Sequence, residues 1–163
     1  MTNKNIARCA FLCTLAIIIG YIESLIPLNF AIPGIKLGLS NIVILFALYR
    51  LNTKYAFTIM LLKVFCTALL FSGMSALWYS LAGGLFSFFI MLILKKTELV
   101  SVCTVSISGG VFHNIGQLTA ASAVLKTLSV FWYLPILVIS GIVAGFFSGI
   151  LCNMLFKYVK GDV

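Results

Sequence analysis

The chain has 163 residues, of which 63% are hydrophobic and only 9% charged, with a formal net charge of +8 and a mean hydropathy of +1.21. A soluble domain is about half apolar and about a quarter charged, so a soluble globule is excluded: the surplus apolar surface must face lipid. The basic residues stand singly or in pairs between apolar runs, not in a stripe interleaved with aromatics, which excludes a nucleic-acid surface.

A membrane helix needs about 20 apolar residues. Apolar runs between charges and turn signals predict six spans in one integral membrane domain over 1–163: 8–27, 36–51, 54–72, 75–94, 100–122 and 130–157. The expected fold is therefore all-α, a compact bundle of six transmembrane helices. The run after Arg8 is longer than the core of a signal peptide and no A-x-A-like site follows, so it is read as the first span. Within it, Ala16 and Gly20 are four apart. Glu23 sits one turn before Pro27. The connection from Leu28 to Ile35 is apolar and carries the Pro33–Gly34 turn signal. It reads as a lid tucked over the bundle, with Asn29, Phe30, Pro33 and Lys36 as its notable residues. Asn41 lies about a turn into the second span, and Lys63 falls in the middle of the third. Ser72-Gly73-Met74-Ser75 is a tight turn. The fourth span carries a stripe of small residues, Ala76, Ser80, Gly83, Gly84 and Ser87.

The fifth span carries the chain's single histidine. At 100° per residue, Ser106, Gly109, Gly110, His113, Asn114, Gly116, Gln117, Ala120 and Ala121 fall within an arc of about 160°. Val105, Ile107, Phe112, Ile115 and Leu118 take the opposite, bulky side. Ser108 and Thr119 break the pattern, but such hydroxyls bond back to their own helix. In the sixth span Gly141, Ala144, Gly145, Ser148, Gly149 and Cys152 share one face, the small-residue surface through which membrane helices pack.

Six spans put both termini on one side. With the N-terminus cytoplasmic, Lys4, Arg8, Arg50, Lys54, Lys95, Lys96, Lys157 and Lys160 are inside and only Lys36 and Lys126 outside, a strong positive-inside bias. Both termini are expected in the cytoplasm of a cell-membrane protein, with Trp78-Tyr79 and Trp132-Tyr133 near the outer interface.

Charge inside a bilayer costs roughly 2.5–3.5 kcal/mol per group on insertion scales, so it requires a partner or a cavity. Three readings of the intramembrane polar groups stand side by side. Glu23 pairs with Lys63 or with His113 to hold the bundle; or His113, Asn114, Gln117, Glu23, Lys63 and Asn41 line an outward-opening solute cavity; or they form a proton relay. Metal and phosphate chemistry is poorly supplied, because the only carboxylate side chains are Glu23, Glu98 and Asp162, whereas magnesium wants several oxygens. There is no phosphate-binding GxxxxGK[ST] loop, and no buried Asp to orient His113 in a hydrolase triad. Cys9, Cys13, Cys66, Cys103 and Cys152 have no zinc spacing and read as small packing residues. No catalytic residue, metal or cofactor is expected.

E-S-L-I-P at Glu23 to Pro27, P-G-I-K-L-G-L-S-N at Pro33 to Asn41, L-A-G-G at Leu81 to Gly84 and G-G-V-F-H-N-I-G-Q at Gly109 to Gln117 together resemble the Gx transporter family, also labelled heptaprenyl diphosphate synthase component I. The resemblance runs from about Ala7 to Phe156. It implies kinship with the S components of energy-coupling-factor transporters, six-helix bundles that bind a small solute near the outer face beneath a first-loop lid. There a coupling membrane subunit and two cytoplasmic ATPases drive uptake. Cys9, Ala10, Cys13 and Thr14 stand where the alanine-rich docking motif of such proteins would be, without reproducing it. The synthase label implies a second role, a non-catalytic membrane subunit of a prenyl synthase or a quinone-related system.

Overall fold

A computed structural model describes residues 3–25 and 39–158. The expected lid residues Asn29, Phe30, Pro33 and Lys36 lie outside these. The described chain forms six α-helices and no strand: α1 Asn3–Leu25, α2 Asn41–Arg50, α3 Thr53–Thr67, α4 Met74–Thr97, α5 Val102–Leu125 and α6 Leu134–Tyr158. A π-helical turn, Ala68–Ser72, extends α3, and a 3₁₀ turn, Ser129–Tyr133, leads into α6.

The breaks between helices have local causes. Gly73 separates the π turn from α4 with φ +79°, a backbone state that costs glycine nothing. At the π turn Thr67 donates its hydroxyl to Lys63 O at 2.8 Å, the kind of back-bond that disturbs a helical ladder. Glu98 and Lys126 end α4 and α5 in the left-handed region, and Ser101 Oγ accepts from Thr104 N to start α5. Two cations cap helix ends: Lys95 Nζ donates to Leu48 O at the end of α2, and Arg50 Nη2 to Phe156 O, at 2.8 Å, at the end of α6. Positive charge there also complements the helix dipole.

Four segments are long and apolar enough to cross a membrane: Lys4–Leu25, Thr53–Ser72, Ala76–Thr97 and Ser129–Tyr158. The two remaining helices differ for different reasons. With 24 residues α5 has the length, but His113, Asn114 and Gln117 dilute its apolar character. With 10 residues α2 covers only about 15 Å, half of the roughly 30 Å hydrocarbon thickness. Yet Val43, Ile44, Leu45, Ala47 and Leu48 are all buried, because α2 packs among the other helices, including α1, α3, α5 and α6.

Close packing rests on glycine, most of all between α5 and its neighbours. The buried residues of α6 are Leu137 and the small set Gly141, Ala144, Gly145, Ser148, Gly149 and Cys152. A Cβ at Gly145 would stand 2.6 Å from Ile107 Cα, and one at Gly149 would stand 2.8 Å from Cys103 Cα. Backbones this close leave no room for a side chain, the small-residue packing of membrane helices. On the far side of α5, Gly116 rests against Ala82 and Gly83, and Gly84 takes Met60 and Val64 of α3. Because α5 is clasped between α4 and α6, its buried arc is wider than the polar face alone. Val105 and Leu118, on the bulky side opposite the polar face, are completely buried, whereas Phe112 on that side is exposed. Around the bundle Phe11, Leu69, Trp78, Ile93, Trp132, Ile139 and Phe147 are exposed, an apolar mantle too extensive for a water-facing surface.

Candidate functional site

Buried polar side chains gather in two groups. The first lies where α1, α2 and α3 meet. Glu23, only 4% exposed, accepts a hydrogen bond from Ser40 Oγ at 3.3 Å, which joins the end of α1 to the start of α2. Asn41 and Lys63 are buried beside these elements. The Lys63 stem passes Gly20, where a Cβ would lie 3.8 Å from its Cε and 2.8 Å from Thr67 Cγ2. Gly20 and Glu23 are three apart on one face of α1, so the helix gives the lysine stem passage next to the carboxylate's face.

The second group lies on α5. Asn114 Nδ2 donates to Leu137 O at 2.7 Å and to Ser140 Oγ at 3.2 Å, tying α5 to α6. Gln117 Nε2 lies 3.2 Å from His113 Nε2, one turn apart. Both residues press on α4: a Cβ on Gly83 would stand 2.7 Å from Gln117 Cγ, 3.1 Å from His113 Cε1 and 2.8 Å from the His113 carbonyl oxygen. Thr119 is exposed and bonds back to Ile115 O. Between the groups, α2 packs on both α3 and α5.

Several buried polar atoms have no hydrogen-bond partner among the described residues: both amide atoms of Asn41, Asn114 Oδ1, Gln117 Oε1 and Ser87 Oγ. Each such atom costs about 1–3 kcal/mol. Asn41 matters most, because it stands in the first turn of α2, at the positive end of the dipole, where Ile42 N and Val43 N already donate to Leu39 O and Ser40 O and the Asn41 side-chain amide is left over. A buried half-helix pointing its N-terminus into a bundle is the geometry that receives polar or anionic solute groups in membrane transporters.

Of the expected site residues, Glu23 and Asn41 come to one end of α2, Lys63 is buried on α3 beside α1, and His113, Asn114 and Gln117 form the α5 group. The sequence reading passed over Ser40, which holds Glu23, and Thr67, which stands against Gly20. A serine followed by asparagine ahead of an apolar run is a helix-start signal and could have located the N-terminus of α2, although Ser40 Oγ makes no cap bond there and donates to Glu23 instead. Among the described residues no three of His, Cys, Asp and Glu come together as a metal site. Glu98 is exposed on the connection between α4 and α5, so the two carboxylates among the described residues, Glu23 and Glu98, stand apart.

The chain matches the family described as heptaprenyl diphosphate synthase component I over residues 12–155. The chain belongs to that family. The description names one component of a synthase, and with the apolar helices it fits a membrane-associated subunit. In this family member the match takes in Glu23, Asn41, Lys63 and the whole α5 cluster. Neither the curated proteins nor the solved structures yielded a match.

Proposed function

We propose that the chain is a six-span membrane subunit that binds a small polar or amphipathic solute in the outer half of its bundle, in the manner of an S component, with both termini cytoplasmic. The observation that carries this reading is the half-length α2: its N-terminus is buried in the bundle beside the Glu23–Ser40 pair, with an unsatisfied Asn41 amide. The Asn41 amide, at the positive end of α2, would bond the solute's polar part, Gln117, His113 and Asn114 would extend the polar wall, and Lys63 or Glu23 would match its charge. Residues Asn29, Phe30, Pro33 and Lys36 would form the lid. A coupling membrane subunit with two cytoplasmic ATPases would supply energy.

A second reading follows from the family's description: a non-catalytic membrane subunit of a prenyl diphosphate synthase, anchoring its partner or presenting its lipid product. Purification of the tagged protein from native membranes in mild detergent separates the two. Co-purifying coupling subunit and ATPases support transport; a co-purifying soluble prenyl synthase instead supports the second reading. The pocket itself is tested by heat-releasing small molecules from the purified protein for mass spectrometry. The parent is expected to release one compound in near-stoichiometric amount, and Asn41→Leu none while remaining monodisperse. Equal release from parent and variant removes Asn41 from the site.

A further inference from the structure

A groove of about 380 Å³ runs between α1, α2 and α6, apart from the polar groups described above. Its wall on α1 includes Arg8, Leu15 and Ile19; its wall on α2 includes Ile42, Phe46 and Arg50. Spacings of seven and four on α1, and of four on α2, place each set on one helix face. The two helices run antiparallel, since Glu23 near the end of α1 is bonded to Ser40 at the start of α2. Arg8 and Arg50 therefore share one end of the groove, and the apolar residues lead away from both. No residue lining the groove is acidic among those described.

The dimensions and the charge together specify an occupant. At 1.5 Å per residue, Arg8 to Ile19 covers about 16 Å and Ile42 to Arg50 about 12 Å. Half the hydrocarbon thickness, one leaflet, is about 15 Å. A trough one leaflet deep, apolar along its length and cationic only at its mouth, matches a lipid with a negatively charged headgroup. We propose that the groove binds an anionic phospholipid of the leaflet on the arginine side, one acyl chain lying along Leu15, Ile19, Ile42 and Phe46 and the phosphate between Arg8 and Arg50. The proposal does not depend on the solute reading, because no residue of the groove belongs to either polar group.

Native mass spectrometry of the full-length protein in detergent, offered equal phosphatidylglycerol and phosphatidylcholine, tests it. The parent is expected to retain one phosphatidylglycerol in preference to phosphatidylcholine. Each arginine near a membrane surface contributes about a fivefold preference for anionic lipid, so Arg8→Gln should reduce the selectivity by about that factor. Arg50→Gln should do the same, but Arg50 also caps α6, so the exposed Arg8 position decides. Leu15→Trp, which fills the trough, should remove retention of both lipids. Equal retention of the two lipids by the parent, or an unchanged preference in Arg8→Gln, overturns the proposal. Displacement of phosphatidylglycerol by an equimolar amount of farnesyl diphosphate would overturn it too, reassigning the groove to a prenyl diphosphate.

Discussion

Gly83 stands where α4 meets the polar side chains of α5, and a methyl group there would collide with Gln117 Cγ at 2.7 Å and with the His113 carbonyl at 2.8 Å. The side chain can move; the backbone oxygen cannot. Gly83→Ala is therefore expected to destabilise the bundle by about 1–3 kcal/mol, the usual range for overpacking, as measured by unfolding in mixed micelles. Gln117→Ala added to it should restore only part of the loss; full restoration would mean that the backbone contact is not tight. Asn114 makes a different kind of contact, a bond from its side chain to Leu137 O and Ser140 Oγ. Such interhelical bonds contribute about 1 kcal/mol in membrane proteins, so Asn114→Ala should weaken the α5–α6 contact by that amount. A variant as stable as the parent would show that the Ser140 hydroxyl, which also donates to Leu137 O at 2.9 Å, satisfies that carbonyl without the amide. The residue types at these positions were legible from the sequence, because histidine and amides beside glycines on one helix face must be buried or line a cavity. Their partners were not legible, since which backbone carbonyl Asn114 meets depends on the register between α5 and α6.

α2 owes its integrity to groups outside its own sequence. Ten apolar residues form a marginal helix alone, and this one is held by burial on several sides and by the Lys95 ammonium on Leu48 O. Replacing Lys95 with Met removes that cap. The last turn of α2, where Leu51 N bonds to Ala47 O at 2.9 Å, should then exchange amide hydrogen faster, while the middle of α3 stays protected. Equal exchange in parent and variant would leave the cap without a stabilising role. The small face of α6 could be read directly, because period and residue size both pointed one way, and its buried residues are that set plus Leu137. The buried arc of α5 is wider than its polar face for a physical reason. Periodicity shows which side of a helix is polar, but not that a second neighbour covers the bulky side, as happens to Val105 and Leu118. For α2 the hydropathy of 36–51 could not reveal that the helix starts at Asn41, because Leu37, Gly38 and Leu39 continue the apolar run.

At the scale of the whole molecule the helix ends report direction. Lys95 at the end of α4 bonds the end of α2, and Arg50 at the end of α2 bonds the end of α6, so α2, α4 and α6 finish on the same side. Arg8, near the start of α1, lines a groove with Arg50 and lies on that side as well. The side that gathers Arg8, Arg50 and Lys95 also receives Lys96 and Lys157, the neighbours in sequence of those helix ends, whereas Lys126 follows α5 at the opposite end. An excess of Lys and Arg marks the cytoplasmic face. The expected topology is thus six traversals, with α2 belonging to the second. In a background with all five native cysteines replaced by serine, a cysteine at Lys126 should react with a membrane-impermeant maleimide in intact cells. One at Lys4 or Lys157 should react only after permeabilisation. Labelling of Lys4 and Lys126 from the same side would mean that the chain crosses an even number of times between them. In that case α2 would not belong to a crossing of the bilayer, and the solute reading would lose its support.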